Sequence, residues 1–238
     1  MDPRALYILK KFSEVRGVLA FASAKGGVGK STLATLFSLA LGRRYDVCLV
    51  DLDVTNPNLH LILGVDLERV EIVEDRGVKP LDVGEIKFFT PAIFTRGETL
   101  PLKGQYVVET IREVFTMLNL SGIDIVVLDM PPGVKEEFFE ISRWPVVKTV
   151  VVATQELLGS QGALRLIKLL KEEGVRHVAL VENMATRPPM LNMGEVTHLG
   201  TLPYDPSFVI GNMEALRSTQ LYRSVEAMRE RLLEFLWK

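Results

Sequence analysis

Cysteine is almost missing from this chain: Cys48 is the only one in 238 residues. A lone thiol closes no intramolecular disulfide. Set in the apolar run Val47-Cys48-Leu49-Val50, it reads as a small buried core side chain. Histidine is scarce as well, and His60, His177 and His198 stand far apart without ligand spacing, which argues against a histidine-built metal site. No apolar run approaches the roughly 18 residues needed to span a bilayer, and no signal-peptide pattern precedes Arg4. The expected location is therefore cytoplasmic. Neither sign of charge dominates, since 28 Lys+Arg against 30 Asp+Glu leave a formal net charge of −2. That balance gives no global pull toward nucleic acid or anionic lipid. Internal repeats, low-complexity tracts and a clear linker are absent too, so one domain over 1–238 is expected, with an N-terminal helix at 3–14 and a core over 17–238.

What the chain does have is 47% hydrophobic residues arranged in short apolar runs that alternate with helical patterns. Strands are expected at 18–23, 47–52, 86–89, 124–129, 149–153, 178–181 and 199–201. Helices are expected at 3–14 (Asp2 as cap, Pro3 first), 31–41, 59–63, from 105 onward, 162–173 and 221–235. Residues 70–73 and 77–78 could make a small hairpin, and 95–104 reads as an exposed loop. Continuous apolar strands separated by helices predict a three-layer, doubly wound α/β fold. Its sheet should be mostly parallel and covered by helices on both faces.

The stretch around which this pattern is organised is Ala24-Lys25-Gly26-Gly27-Val28-Gly29-Lys30-Ser31-Thr32, placed between the first strand and the first helix. Strand, glycine-rich turn and helix is the setting a phosphate-binding loop requires. Glycines let backbone N–H groups turn toward a polyphosphate, and the helix N-terminus adds free donors and a favourable dipole. Lys30 is expected at the β- and γ-phosphates and the Ser31 hydroxyl on Mg²⁺. In an open α/β sheet ligands sit at the carboxyl ends of strands. Asp51 and Asp53 end one strand and Asp129 ends another, so three carboxylates should converge there. Ser31, Asp51 and Asp129 are the candidate Mg²⁺ residues, Asp129 having the pattern of a carboxylate that holds the ion through water.

Lys25 is the informative departure from the generic motif. Lys-Gly-Gly-Val-Gly-Lys-Ser-Thr resembles the deviant phosphate loop of the MinD/ParA/Mrp class of dimeric P-loop ATPases. The resemblance implies ATP bound between two subunits, with Lys25 reaching the partner's nucleotide. Asp51-Leu52-Asp53-Val54-Thr55-Asn56-Pro57 is similar to that class's first switch, which implies that Asp53 orients the attacking water. Asp129-Met130-Pro131-Pro132-Gly133 resembles the second switch of the Mrp-type branch. Thr154-Gln155-Glu156, Glu182-Asn183-Met184 and 199–205 fit the same branch. An asparagine amide can pair with adenine N7 and the 6-amino group. The branch's adenine contact falls on Asn183, with Pro203 to Asp205 flanking the ring.

Two features depart from that branch. Its cluster-bearing members place Cys-x-x-Cys shortly after Asn-Met, where this chain has Ala185-Thr186-Arg187-Pro188-Pro189-Met190, so no iron–sulfur cluster is expected on this chain. Its Thr-Gly-Asp after the second switch is replaced by Val134-Lys135-Glu136. The expected activity is slow ATP hydrolysis by a homodimer that switches with nucleotide and answers to an effector or client protein. Two alternatives stay open: an iron–sulfur assembly or carrier factor paired with a cysteine-bearing paralogue, and a small-molecule kinase or ligase on the same core. DNA contact through Arg165, Lys168 and Lys171, or membrane contact through 229–238, has less support than a solvated helix face and ordinary terminal packing.

Overall fold

The computed structural model describes residues 3–98, 101–102, 104–133, 139, 141–142, 144–188 and 196–238. The strands are β1 (Gly17–Ala22), β2 (Val47–Asp51), β3 (Leu81–Val83), β4 (Ile86–Phe89), β5 (Ile125–Asp129), β6 (Val147–Thr154), β7 (Val178–Ala185) and β8 (Thr197–Pro203). They form one sheet in the order β3-β4-β2-β5-β1-β6-β7-β8. Every pairing is parallel except β3 with β4 at one edge.

Alternation along the central strands sorts side chains onto two faces. Val18, Ala20, Ala22, Val126 and Leu128 enter one core, while Leu19, Phe21, Ile125 and Val127 enter the other. The first core is covered by α1 (Pro3–Ser13), α5 (Gln105–Met117) and α6 (Leu157–Glu172). The second is covered by α2 (Lys30–Gly42), α3 (Leu59–Leu63) and α8 (Gln220–Leu236). Short helices also occur, among them α4 (Ala92–Thr95), α7 (Met213–Ser218) and a 3-10 turn at Leu67–Arg69. This is the three-layer, mostly parallel sheet that buried strands on both faces require. Among the described residues, no helix is long and apolar enough to cross a membrane.

Register is what positions the site. Phe21 pairs with Asp129 between β1 and β5, and Asp51 pairs with Asp129 between β2 and β5. The two aspartates therefore end adjacent strands at one level, beside the start of the phosphate loop. Leu52 N donates to Asp129 O, and Met130 N to Phe21 O, so the chain stays tied together as it leaves the sheet.

The structure differs from the sequence expectation in several places, among them helix α4 and the extension of β7 to Ala185. Residues 70–73 form no hairpin; only the isolated bridges Glu74–Val78 and Val78–Leu118 occur there. The antiparallel partner of β4 is instead β3. Helix α6 begins at Leu157, five residues ahead of the expected Gly162. Its glycines mark close packing, since a Cβ at Gly159 would lie 2.2 Å from Thr154 Oγ1 and one at Gly162 would lie 3.1 Å from Ala24 Cβ. Helix α7 was not anticipated, although Asn212 caps it by accepting from Ala215 N. The proposed Asp2 cap and the 134–136 replacement lie outside the described residues, as do 189–190 and residues 99, 100 and 103 of the expected loop.

Candidate functional site

The phosphate loop closes through local hydrogen bonds. Ser23 Oγ donates to Lys25 O at 2.9 Å, and Gly133 N donates to Ser23 O at 3.0 Å. Gly27 and Gly29 adopt φ of 78° and 83°, in the left-handed region that glycine enters without a Cβ clash. At Gly26 and Gly27 the space a Cβ would fill is open, as a ligand-facing cradle requires. At Gly29 it is closed, because a Cβ would come within 2.3 Å of Asn183 Nδ2. The loop encloses a cavity of about 280 Å³ lined by Gly26, Gly27, Val28, Gly29, Lys30, Ser31 and Thr32 together with Asp53, Asn56, Asn58 and Pro132.

Lys30 is 7% exposed, and its Nζ lies 2.5 Å from Asp129 Oδ1 and 3.3 Å from Ser31 Oγ. Asp129 is 2% exposed. Burial holds its carboxyl above the ordinary range, and Lys30 pulls the other way. Asp51 is fully buried, and its carboxyl is pushed up to about 8, by burial first and by the neighbouring Asp129 second. Its two oxygens accept from Asp53 N at 3.1 Å and Leu59 N at 3.2 Å, so it fastens the loop that carries Asp53. Asp53 Oδ1 accepts from Thr55 Oγ1 at 3.0 Å and Asn56 N at 3.2 Å, which fixes its carboxylate at the cavity wall.

The fit of this arrangement to a polyphosphate and Mg²⁺ rests on its donor set. Lys30, the glycine backbone of the loop and the first residues of α2 line one open space, with Ser31 and Asp53 supplying hard oxygen atoms to its walls. Among the described residues no three His, Cys, Asp or Glu are placed to hold a metal ion by themselves. The groups that could hold one are Ser31 Oγ and Asp129, with phosphate oxygens completing the shell. Asp51, turned to backbone amides, is set behind them. Lys25 is placed differently: its Nζ pairs with Glu156 Oε2 at 3.4 Å, outside the residues that line the phosphate cavity.

A second cavity of about 230 Å³ adjoins the first and shares Gly29 and Thr32 with it. Its walls come from Asn183, Met184, Pro203, Tyr204, Asp205, Pro206, Phe208 and Leu221. Asn183 is 2% exposed and donates Nδ2 to Val28 O at 2.9 Å. Its Oδ1 is buried without a partner among the described residues, the signature of an acceptor awaiting a donor. Asp205 lines this cavity, but its oxygens turn to Ser207 and to Leu221 N, 2.8 Å away at the start of α8. Its carboxyl is held below the ordinary range, first by the Ser207 hydroxyl.

Sequence reasoning missed Asn58 and Phe208, whereas Tyr204 lies within the expected stretch from Pro203 to Asp205. Asn58 comes closely enough after the first switch to have been suspected, whereas Phe208 carries no local signal. Gln155 was also missed as a fastener. Its Nε2 reaches Glu182 Oε2 (3.1 Å), Arg187 O (2.9 Å) and Pro188 O (3.1 Å), and its Oε1 accepts from Thr186 N and Arg187 N.

Comparison with known proteins agrees with this fold. The family described as ParA: NUBPL iron-transfer P-loop NTPase matches residues 14–213. The cytosolic Fe-S cluster assembly factor Nubp2 homolog of Drosophila virilis is 27% identical over 222 residues, covering 81% of this chain and 82% of that protein. The iron-sulfur cluster carrier protein of Aquifex aeolicus is 26% identical over 184 residues, 76% of this chain, which thereby spans only 50% of the carrier's length. Among solved structures, the septum site-determining protein MinD of Pyrococcus horikoshii, complexed with Mg-ADP, superposes with a TM-score of 0.65 at 19% identity. That superposition covers 91% of this chain and 95% of MinD, and at such identity it shows the shared fold. With the family match running through the phosphate loop, both strand-end aspartates and the base-side loops, the chain belongs to the ParA/NUBPL iron-transfer P-loop NTPase family.

Proposed function

We propose that this chain is a Mg²⁺-dependent ATPase that dimerises around ATP and works as a nucleotide switch. The observation that carries the reading is the buried Lys30–Asp129 pair at the floor of an open glycine cradle. A buried ammonium held by one carboxylate can exchange it for phosphate oxygens, which releases Asp129 toward Ser31 and the ion. Mg²⁺ bound there would neutralise developing charge on the phosphates. Loop N–H groups and Lys30 hold the β- and γ-phosphates, and Asn183 Oδ1 accepts from the adenine 6-amino group. Asp53, fixed by Thr55 and Asn56, orients a water whose oxygen attacks the γ-phosphorus as the bond to the β-phosphate oxygen breaks. ADP departs with that electron pair, and the water proton passes to solvent or phosphate. Lys25 of a second subunit stabilises the same charge in trans; such cations raise turnover by about 10³–10⁵. Residues 1–238 act as one nucleotide-binding unit.

Phosphate release and particle mass, measured with Mg-ATP, test the reading. Asp53→Ala is expected to keep ATP, to lose turnover by roughly 10²–10⁴ as a water-positioning group does, and to accumulate as a dimer. Hydrolysis at the parent rate would remove Asp53 from the mechanism.

A second reading is favoured by the names of the relatives: an iron–sulfur assembly role alongside a cysteine-bearing paralogue. The buried Cys48 thiol, pushed up to about 12 by burial, is a poor cluster ligand, so thiolates would come from the partner. Visible absorbance after anaerobic reconstitution, with and without such a partner, separates the two.

A further inference from the structure

Both lysines of the phosphate loop face a carboxylate of their own chain. Lys30 faces Asp129 inside the site, and Lys25 faces Glu156 at its rim. Glu156 immediately precedes α6 and stands at its N-cap position, yet its side chain makes no capping hydrogen bond. The carboxylate is therefore free for Lys25. The geometry that brings them together is built into the backbone. Ser23 Oγ holds Lys25 O, and Ala24 packs closely on Gly162 of α6, where a Cβ would lie 3.1 Å from Ala24 Cβ.

We infer that Glu156 is an internal stand-in for the partner's phosphates, occupying Lys25 in the free subunit and so acting as a brake on ATP-driven dimerisation. The inference rests on the trans role proposed for Lys25. The Lys25 side chain is 41% exposed and that of Glu156 78%, so the contact is exchangeable rather than locked. An exposed pair of this kind is worth up to about fivefold in an equilibrium constant. A two-fold dimer must open the contact in both subunits, so the effects multiply to at most about 25-fold in the association constant. The contact biases the switch without preventing it, and screening by salt weakens it further.

The test is dimer dissociation measured by sedimentation with a non-hydrolysable ATP analogue and Mg²⁺, on wild type, Glu156→Gln, Lys25→Ala and the double variant. Glu156→Gln is expected to tighten the dimer by about 3- to 25-fold, the upper limit set by two exposed contacts. In the Lys25→Ala background the same change is expected to do nothing. No tightening by Glu156→Gln, with Lys25→Ala still impairing dimerisation, overturns the brake alone. Equal tightening with and without Lys25 also overturns it, since the glutamate would then act by general charge. Lys25→Ala that dimerises like wild type overturns the trans role in dimerisation and the brake together. Because Glu156 is largely exposed, the fold is not at risk; an unchanged melting temperature is the control.

Discussion

The phosphate half of the site is drawn from the ends of three neighbouring central strands, whereas the base half is drawn from the carboxyl end of β7 and from the end of β8 with the loop that follows it, nearer the sheet edge. In the first half, Lys30, Asp51 and Asp129 are all buried and already answer one another. In the second, Tyr204 is exposed, Asp205 is turned toward α8, and Asn183 Oδ1 alone waits without a partner. A buried charged cluster responds to its ligand by exchanging partners, so substitutions there remove binding and leave uncompensated charge. Under the proposed function, a half-open pocket with one waiting acceptor selects among bases and tolerates change. The two halves meet where Asn183 Nδ2 holds Val28 O.

Three measurements sharpen or break this contrast. The largest effect is expected from Lys30→Ala. Truncating one partner of a buried charged contact with a bound group costs about 2–5 kcal/mol of binding, so affinity for a fluorescent ATP analogue should fall by at least about 30-fold. The melting temperature of the nucleotide-free protein should fall as well. Retained affinity would mean that the glycine cradle does not hold phosphate.

Asn183→Ala comes next. It removes the acceptor proposed for the base and the tie to Val28, and a hydrogen bond's usual net worth of about 0.5–1.5 kcal/mol corresponds to roughly 2- to 13-fold weaker ATP. The preference for ATP over GTP in competition binding should shrink by a similar factor. A loss as large as that of Lys30→Ala would show that the two halves contribute equally and that the contrast is false.

Asp205→Ala should give the smallest effect, felt mainly in stability. Its carboxylate accepts from Leu221 N in the first turn of α8, and such a contact is worth about 1 kcal/mol. The folded carboxyl lies below its ordinary 3.8, so its contribution is complete above that value and is lost as pH falls through the lower folded value. The gap between wild type and variant in thermal melts should hold at pH 7 and close on acidification below about 3.8. A gap that widens in acid would reverse the sign of the argument.

Much of this was legible in the sequence because it depends on local pattern. Buried parallel strands must be apolar throughout, so β1, β2, β5 and β6 showed themselves, as did the glycine loop at the end of β1. The strand-end aspartates were legible for the same reason. Pairings that join distant segments at the edge were not. β3 is three residues long, and nothing in its own spacing selects β4 as its partner. Gly159 and Gly162 look like helix breakers until Thr154 and Ala24 are seen to press on them. The fastening of 186–188 by Gln155 spans some thirty residues of sequence and leaves no periodic trace. Asp51 was readable as a strand-end acid, but its binding to the amides of Asp53 and Leu59 depends on how the next loop folds back.

Cys48, fully buried in β2, has a thiol pushed up to about 12, so at ordinary pH it carries its proton and is screened from reagents. The wild-type protein is thus chemically silent toward thiol probes while folded. A cysteine introduced on the surface would be labelled alone, with no background to remove by mutation, which makes distance measurements across the proposed dimer direct. The native thiol meanwhile serves as an internal clock: it reacts only when the central sheet opens, so its labelling rate reports global unfolding in the same sample.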